Sequence, residues 1–247
     1  QQVVYMESFP EHIQFCYPWR SYQREVLHHL DRHLENQHLH LVAPPGSGKT
    51  VLGLEVMLRL NKPTLIVAPT LAIRNQWVDR FMALFLNVKE QPAWISMDLM
   101  NPQFITVTTY QGLHALFQDN NTEDTEAEII DDAENEQAIE LTERELAQEN
   151  FLKCNFQTLI LDEAHHLRTS WWKTTIALRD RLTNPTVVAL TATPPYDVDK
   201  LEWDKYIELC GPIDEEIEVA ALVKEGDLCP HQDYVWMSMP TKNEKEP

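Results

Sequence analysis

Short, mainly apolar runs recur along the chain, and longer stretches with helical spacing separate them. The runs cover residues 38–42, 64–68, 104–108, 158–161 and 186–190. Apolar runs of this length are typical of strands that are buried on both faces of a parallel sheet. The clearest helical stretches are 23–36, 50–60, 71–86 and 171–182. Because strands alternate with helices, we predict right-handed crossovers and an α/β fold, in which helices cover both faces of a mostly parallel sheet.

The first run leads into a glycine-rich loop, residues 43–50, which reads Ala-Pro-Pro-Gly-Ser-Gly-Lys-Thr. Glycines let the backbone curl so that its N–H groups point at phosphate oxygens, and the helix that follows adds its positive dipole end. The lysine would reach the β- and γ-phosphates of a nucleotide, and the threonine hydroxyl would bind Mg²⁺. Ala43 departs from the general pattern, which begins with Gly. The predicted ATP-binding residues of the loop are Pro45, Gly46, Ser47, Gly48, Lys49 and Thr50.

A second chemical segment, Asp-Glu-Ala-His, follows the buried run 158–161. Asp162 can hold Mg²⁺ through its water shell, and Glu163 can polarise the water that attacks a γ-phosphate. We expect this segment and the glycine-rich loop to lie at the carboxyl ends of neighbouring parallel strands, where open α/β sheets bind ligands. The two segments together predict an ATPase that uses ATP and Mg²⁺.

A third segment, Thr191-Ala192-Thr193, ends the run 186–190. Its small hydroxyl residues could bond to the acidic loop and couple the state of that loop to the rest of the molecule.

These segments resemble, in order, the first RecA-like domain of a superfamily 2 helicase or translocase, which implies a three-layer P-loop fold. The segment 19–23 resembles the family's adenine-reading segment, with Gln23 as the hydrogen-bond partner of the base and Arg20 near its face. Residues 162–165 match motif II in its DEAH spelling, which adds His165 to the catalytic set of Lys49, Asp162 and Glu163. Residues 191–193 match motif III, the coupling segment.

The resemblance also implies a nucleic-acid surface. Segments near residues 69–77 and 108–111 resemble motif Ia and the nucleic-acid contact that follows it, and the implied contact residues are Pro69, Thr70, Arg74, Thr109 and Gln111. The R-x-Y-Q start, the P-T…Q-W segment, DEAH and TAT-P-P are together similar to double-stranded DNA translocases of the repair and restriction type. This similarity implies DNA as the partner, duplex DNA in particular, rather than RNA.

One acidic segment, residues 119–150, interrupts the alternation of strands and helices. It contains 13 Asp and Glu residues against one Arg, in a chain whose formal net charge is −19. The part from 119 to 136 predicts disorder, whereas apolar residues from about 137 onward predict an amphipathic helix that returns to the core. The segment is either a solvated surface excursion or an acidic flap that competes with DNA or docks a protein partner.

We assign residues 1–240 to the RecA-like domain and residues 241–247 to a polar tail. In the family, a second RecA-like domain supplies an arginine to the active site, so we expect this tail to mark the junction to it and the chain alone to hydrolyse ATP poorly. Two other functions stay open. The chain could be a non-catalytic binding module whose conformation is switched by bound nucleotide, or a fragment of an RNA helicase. A small-molecule P-loop kinase is disfavoured, because it would need neither residues 191–193 nor Gln23.

The cysteines and the hydropathy pattern indicate in which cellular compartment the protein is expected. The four cysteines form no CxxC pair, so neither a zinc ribbon nor a disulfide framework is predicted. The sequence shows no amino-terminal signal pattern and no apolar run long enough to cross a bilayer. We therefore expect a soluble cytoplasmic protein without a membrane partner.

Overall fold

A parallel sheet of seven strands forms the centre of the molecule, in a computed structural model that describes residues 6–118, 141–166 and 169–229. The strand order is β3-β4-β2-β5-β6-β1-β7, and every neighbouring pair is parallel. This architecture confirms the predicted α/β fold class. The strands are β1 His38–Val42, β2 Thr64–Ala68, β3 Ile95–Ser96, β4 Ile105–Thr109, β5 Thr158–Asp162, β6 Thr186–Thr191 and β7 Glu215–Glu216.

Helices cover both faces of this sheet. In chain order they are α1 Ser21–His28, α2 Leu30–His33, α3 Lys49–Leu60, α4 Leu71–Phe81, α5 Tyr110–Phe117, α6 Leu141–Lys153, α7 Thr169–Arg181, α8 Lys200–Cys210 and α9 Val219–Glu225. Short 3-10 turns lie at Leu34–Asn36 and Ala164–His166, and a π-helical turn at Met82–Leu86 extends α4.

The five predicted strands lie within one residue of β1, β2, β4, β5 and β6. The single helix predicted over 23–36 is wrong, because the backbone leaves helical geometry at His29, with φ −98° and ψ 8°, and divides the stretch into α1, α2 and a 3-10 turn. The edge strands β3 and β7 were not predicted, since two residues are too few to produce an apolar pattern.

The expected adjacency of β1 and β5 is also wrong. Strand β6 lies between them and pairs with both, Leu39 opposite Val188 on one side and Ile160 opposite Val188 on the other. Local patterns predict that strands exist, but the crossover connections decide their order. The consequence is functional, because the segment that follows β6 now lies between the two segments that follow β1 and β5.

Each face of the sheet has its own apolar core. On one face, α1, α3 and α4 bury large side chains such as Met57, Trp77 and Phe81. On the other face, α5, α6, α7 and α8 bury Phe151, Phe156 and Tyr206. Because helices bury the strands on both faces of the sheet, the strand sequences are continuously apolar rather than alternating.

The described part of the acidic segment is α6. Its buried residues Ala147 and Phe151 pack into the core, which confirms a helix that returns to the core, although Leu146 of the same helix is exposed. The Arg144 guanidinium and the Gln148 amide both donate to the Leu116 carbonyl oxygen, at 3.0 and 2.7 Å, and tie α6 to the end of α5. The predicted disorder of 119–136, the domain end at 240 and the tail 241–247 lie outside the described residues and stay predictions.

Across the described ranges, none of the helices combines the length and the apolar character needed to span a membrane.

Candidate nucleotide-binding site

The carboxyl edge of the sheet brings the predicted segments together. The glycine-rich loop follows β1, the acidic loop begins at the end of β5, and residues 191–193 end β6 between them. Pro69 directly follows β2, and Thr109 is the last residue of the neighbouring strand β4. Ala68, the last residue of β2, pairs with Thr109. All predicted site segments therefore share one edge, with the nucleic-acid segments beside the nucleotide segments.

The loop after β1 has the backbone of a phosphate cradle. Gly46 and Gly48 have φ of 77° and 101°, a conformation that favours glycine, and the 12-residue helix α3 begins at Lys49. A side chain at Gly48 would also collide with the Gln23 amide, since an ideal Cβ there lies 2.7 Å from Nε2. The Ser47 hydroxyl is buried and has no hydrogen-bond partner among the described residues. A buried, unpartnered donor at the start of a helix fits an anion such as a phosphate.

The side chain of Lys49 lies across this loop. Its Nζ donates to the carbonyl oxygen of Ala43 at 2.7 Å and lies 3.6 Å from Glu163 Oε1. Ala43, the departure from the usual glycine, is fully buried and its N–H bonds to Thr191 O at 2.9 Å, so its backbone extends the β1–β6 ladder.

The predicted adenine-reading residues contact the loop itself. The Arg20 Nη1 donates to the carbonyl oxygens of Gly46 and Ser47 at 2.8 and 2.5 Å. The Gln23 Nε2 donates to Gly48 O at 3.3 Å, and Tyr22, which belongs to the same segment but was given no role from the sequence, donates to Ser47 O at 2.9 Å. Their contact with a base stays a prediction, whereas their hold on the loop backbone is a feature of this structure.

Asp162 is a buried carboxylate held from two sides. Its Oδ2 accepts a 2.7 Å hydrogen bond from the Trp77 indole, and its backbone oxygen accepts one from the Tyr110 hydroxyl at 3.1 Å. Desolvation raises the pKa of this carboxyl from 3.8 to about 6, with the Glu163 charge acting in the same direction and the Trp77 hydrogen bond and Lys49 opposing it. A cation is the partner that such a desolvated carboxylate favours.

Glu163 is fixed by the segment after β6. Its φ of 51° is unusual for a residue with a side chain, and its N–H donates to Leu190 O at 2.8 Å. Its Oε2 accepts hydrogen bonds from Thr191 Oγ1 at 3.2 Å and from the Ala192 N–H at 3.0 Å. The side chain therefore has a defined position between the lysine and the strand that separates β1 from β5.

His165 bonds to the same segment. Its Nδ1 lies 2.6 Å from Thr191 Oγ1, and its Nε2 lies 3.3 Å from Thr193 Oγ1. Thr191 thus touches both Glu163 and His165, which is the arrangement that a coupling segment requires. The coupling role itself stays a prediction.

The nucleic-acid candidates lie at the starts of two helices. Thr70 Oγ1 caps α4 by accepting from the Ile73 N–H at 3.3 Å, and Thr109 Oγ1 caps α5 by accepting from the Gly112 N–H at 3.0 Å. Gln111 is exposed, and Arg74 is half-buried with its guanidinium on Asn75 Oδ1. Helix starts with exposed N–H groups can bind phosphates, but the contact roles of these residues and of Pro69 stay predictions.

Sequence reasoning missed the position of Trp77. The pattern P-T…Q-W includes this residue, yet no local signal shows that its indole reaches a carboxylate 85 positions further along the chain. It also missed Asp227, whose Oδ1 lies 3.9 Å from Arg20 Nε. Both contacts depend on how distant elements pack, which periodicity and spacing do not encode.

Comparison with known proteins gives a family and several relatives. The model of the family described as type III restriction enzyme, res subunit, matches residues 17–196. The DNA 3'-5' translocase XPB2 of Sulfurisphaera tokodaii is 29% identical over 194 residues, which cover 78% of this chain and 34% of that protein. The chain therefore spans about a third of the length of this curated relative.

Solved structures share the fold. A structure described as a hypothetical ATP-dependent RNA helicase from Sulfolobus tokodaii has a TM-score of 0.55 and 16% identity, over 84% of this chain and 55% of that one. The Type ISP restriction-modification enzyme LlaGI, as a nuclease-deletion mutant in complex with a DNA substrate mimic, also has a TM-score of 0.55 and 16% identity, over 85% of this chain and 21% of that one.

Proposed function

Because the chain belongs to the family of type III restriction enzyme res subunits and is a first RecA-like domain of the superfamily 2 helicases, we propose that it is the ATP-binding half of a DNA translocase or helicase. One observation carries the proposal. Lys49 Nζ lies 3.6 Å from Glu163 Oε1, beside the buried Asp162 carboxylate. The groups that phosphate, metal and attacking water require thus lie within one small site.

The residues of the site fit ATP and Mg²⁺. Thr50 and Asp162 would hold the metal with the oxygen ligands that Mg²⁺ prefers, and the loop around the unpartnered Ser47 hydroxyl would hold the phosphates. Mg²⁺ held there would neutralise the negative charge that develops on the phosphate oxygens. Lys49 supplies a further positive charge to the same oxygens.

Glu163 is the general base of the proposed reaction. Its carboxylate takes a proton from water as the water oxygen bonds to the γ-phosphorus and the bond to the ADP oxygen breaks. Thr191 and the Ala192 N–H hold that carboxylate in place. His165, bonded to Thr191 and 3.4 Å from Glu163 Oε2, steadies the same arrangement.

A second RecA-like domain completes the site in this proposal. The chain spans 34% of the length of the translocase XPB2, and a stabilising arginine from a second domain is a recurring part of phosphoryl-transfer sites. We expect the 247-residue chain to bind nucleotide weakly and to hydrolyse it slowly by itself. Turnover by this chain as fast as that of a two-domain enzyme would contradict this part of the proposal.

The proposed nucleic-acid partner is DNA, duplex DNA in particular. Pro69, Thr70, Arg74, Thr109 and Gln111 would supply the contacts, from the helix starts beside the nucleotide site. The name of one relative is DNA translocase, and LlaGI was solved with a DNA mimic. The description of another structural neighbour is RNA helicase, so RNA belongs in the test.

The test measures the ATPase rate of the protein at its natural length with single-stranded DNA, duplex DNA and RNA side by side. We expect duplex DNA to stimulate the rate most, and stimulation by RNA alone would overturn the DNA assignment. Glu163→Gln should retain nucleotide binding and lower turnover by about 10²- to 10⁴-fold, the usual contribution of a general base. Glu90→Gln, an exposed matched control, should behave as wild type. Nucleotide binding without hydrolysis under every condition would instead favour the non-catalytic, nucleotide-switched module.

A further inference from the structure

The indole of Trp77 lies behind the proposed metal site. Trp77 belongs to α4, is 1% exposed, and donates from Nε1 to Asp162 Oδ2 at 2.7 Å. An N–H to carboxylate hydrogen bond of this length is charge-assisted when the carboxyl is ionised, and such bonds are stronger than neutral ones.

The ring of Trp77 packs closely against α3. An ideal Cβ at Gly53 of α3 would lie 2.8 Å from Trp77 Cη2 and 2.7 Å from Leu190 Cδ1 of β6. A residue larger than glycine at position 53 would therefore collide with the ring. Because the ring is buried and packed against α3, its packing restrains the direction of the N–H in addition to the bond with Asp162.

We propose that Trp77 is a positioning residue, which holds the Asp162 carboxylate in the orientation that binds Mg²⁺. The inference rests on the proposed function and extends it to a side chain that does not touch nucleotide or metal. A hydrogen bond to Oδ2 restrains rotation of the buried carboxylate and leaves Oδ1 for the metal or its water shell. Removing the hydrogen-bond partner of a metal ligand typically lowers metal affinity by about 10- to 100-fold.

The fixed ring also explains why an aromatic N–H donor suits this position. Asp162 is 5% exposed, so water is not freely available to orient its carboxylate. A flexible polar side chain from α4 would lose rotamer freedom on making the same bond. The indole is already restrained by packing, so the bond costs it little additional conformational entropy.

The experiment measures nucleotide binding rather than turnover. The 247-residue chain is titrated with a fluorescent ATP analogue, first in EDTA and then at increasing Mg²⁺. For Trp77→Phe, which removes the N–H and keeps an aromatic ring, we expect the affinity in EDTA to stay within about 2-fold of wild type. The Mg²⁺ concentration that gives half of the metal-dependent gain should rise by about 10- to 100-fold.

A matched control separates this effect from a packing effect. Trp94→Phe changes another tryptophan packed against the same core, where it contacts Phe9 and Phe81, and should show the wild-type Mg²⁺ requirement. An unchanged Mg²⁺ requirement in Trp77→Phe would overturn the positioning role and leave the proposed function intact. If wild type itself gained no affinity from Mg²⁺, the proposed function would fail together with the inference.

A second measurement uses wild type alone and decides the question if Trp77→Phe does not fold. In ¹⁵N-labelled protein with bound ATP analogue, adding Mg²⁺ should shift the indole N–H resonance of Trp77, because its acceptor then shares charge with the metal. The Trp94 indole resonance should stay in place. A Trp77 resonance that does not respond to Mg²⁺ would overturn the proposal.

Discussion

Lys49 Nζ and Glu163 Oε1 are 3.6 Å apart, although the two residues follow strands that are not neighbours in the sheet. Both side chains reach over the end of β6, the strand that lies between β1 and β5. The glycine-rich loop and the acidic loop are therefore in direct electrostatic contact. Nucleotide phosphates that engage Lys49 would change the environment of Glu163 at the same time.

Lys49→Ala should weaken nucleotide binding by about 10- to 100-fold, since a hydrogen bond to a charged group contributes about 1.5–3 kcal/mol. The measurement is a titration of the chain with a fluorescent ATP analogue in the presence of Mg²⁺. Lys62→Ala, at an exposed position after α3, is the control and should bind as wild type. An equal affinity in Lys49→Ala and wild type would remove Lys49 from the phosphate cradle.

The sequence was sufficient to predict the main strands and the chemical segments, because both depend on local patterns. The run of β5 followed by Asp162 and Glu163 predicts a buried strand that ends in a metal site, and the structure has a strand there. The place of β6 between β1 and β5 was not predictable in this way, since strand order depends on crossovers. The resemblance to the first RecA-like domain of superfamily 2 is confirmed by the family match.

The features that sequence patterns did not predict are side-chain contacts between segments far apart in the chain. Trp77 and Asp162 are 85 positions apart, and only the packing of α4 against α3, β2 and β4 brings the indole to the carboxylate. His40 and Tyr206 are 166 positions apart, yet they form a buried hydrogen bond. Periodicity shows which face of an element is buried but not which polar atoms meet there.

Thr191→Val should separate nucleotide binding from turnover. The substitution keeps the shape of the side chain and removes the hydroxyl that touches both Glu163 and His165. We expect nucleotide affinity within about 2-fold of wild type and a turnover number lower by about 10-fold, as for the loss of one hydrogen bond of about 1.4 kcal/mol.

The measurement for Thr191→Val is the DNA-stimulated ATPase of the protein at its natural length. Thr186→Val, at the opposite end of β6, is the control and should keep the wild-type rate. Full turnover in Thr191→Val would show that this hydroxyl does not support the general base.

Asp162→Asn should stabilise the chain at high pH. The folded-state pKa of Asp162, about 6, lies above its ordinary value of 3.8, so the folded chain binds the proton more tightly than the unfolded chain. Stability is therefore lost as pH rises from about 4 to about 6, by an amount on the order of 3 kcal/mol. The neutral amide does not carry this penalty, and a site for a cation explains why the carboxylate is retained.

Urea unfolding at pH 4, 6 and 8 checks this prediction. The free energy of unfolding of Asp162→Asn should exceed that of wild type at pH 8, and the difference should shrink toward pH 4. Asp204→Asn, at an exposed position in α8, should differ little from wild type at every pH. A difference that is independent of pH would mean that ionisation of Asp162 is not its cause.

Tyr206→Phe should destabilise the fold, because it removes a buried hydrogen bond. Buried His40 of β1 lies 2.9 Å from Gly211 O through Nδ1 and 2.8 Å from the Tyr206 hydroxyl through Nε2. Because a carbonyl only accepts, Nδ1 carries the proton and Nε2 accepts from tyrosine. Removing the hydroxyl leaves Nε2 buried without its donor, and we expect a loss of about 1–3 kcal/mol in the free energy of unfolding.

The test of Tyr206→Phe is urea unfolding at pH 8. Desolvation lowers the pKa of His40 below its ordinary 6.5, so the unfolded chain takes up the proton first and stability falls as pH drops below about 6.5. At pH 8 the imidazole is neutral in both states, and the hydrogen bond is measured alone. Tyr196→Phe removes the hydroxyl of an exposed tyrosine and should change stability by less than about 0.5 kcal/mol. Equal effects of the two substitutions would show that the His40–Tyr206 bond does not hold α8 against β1.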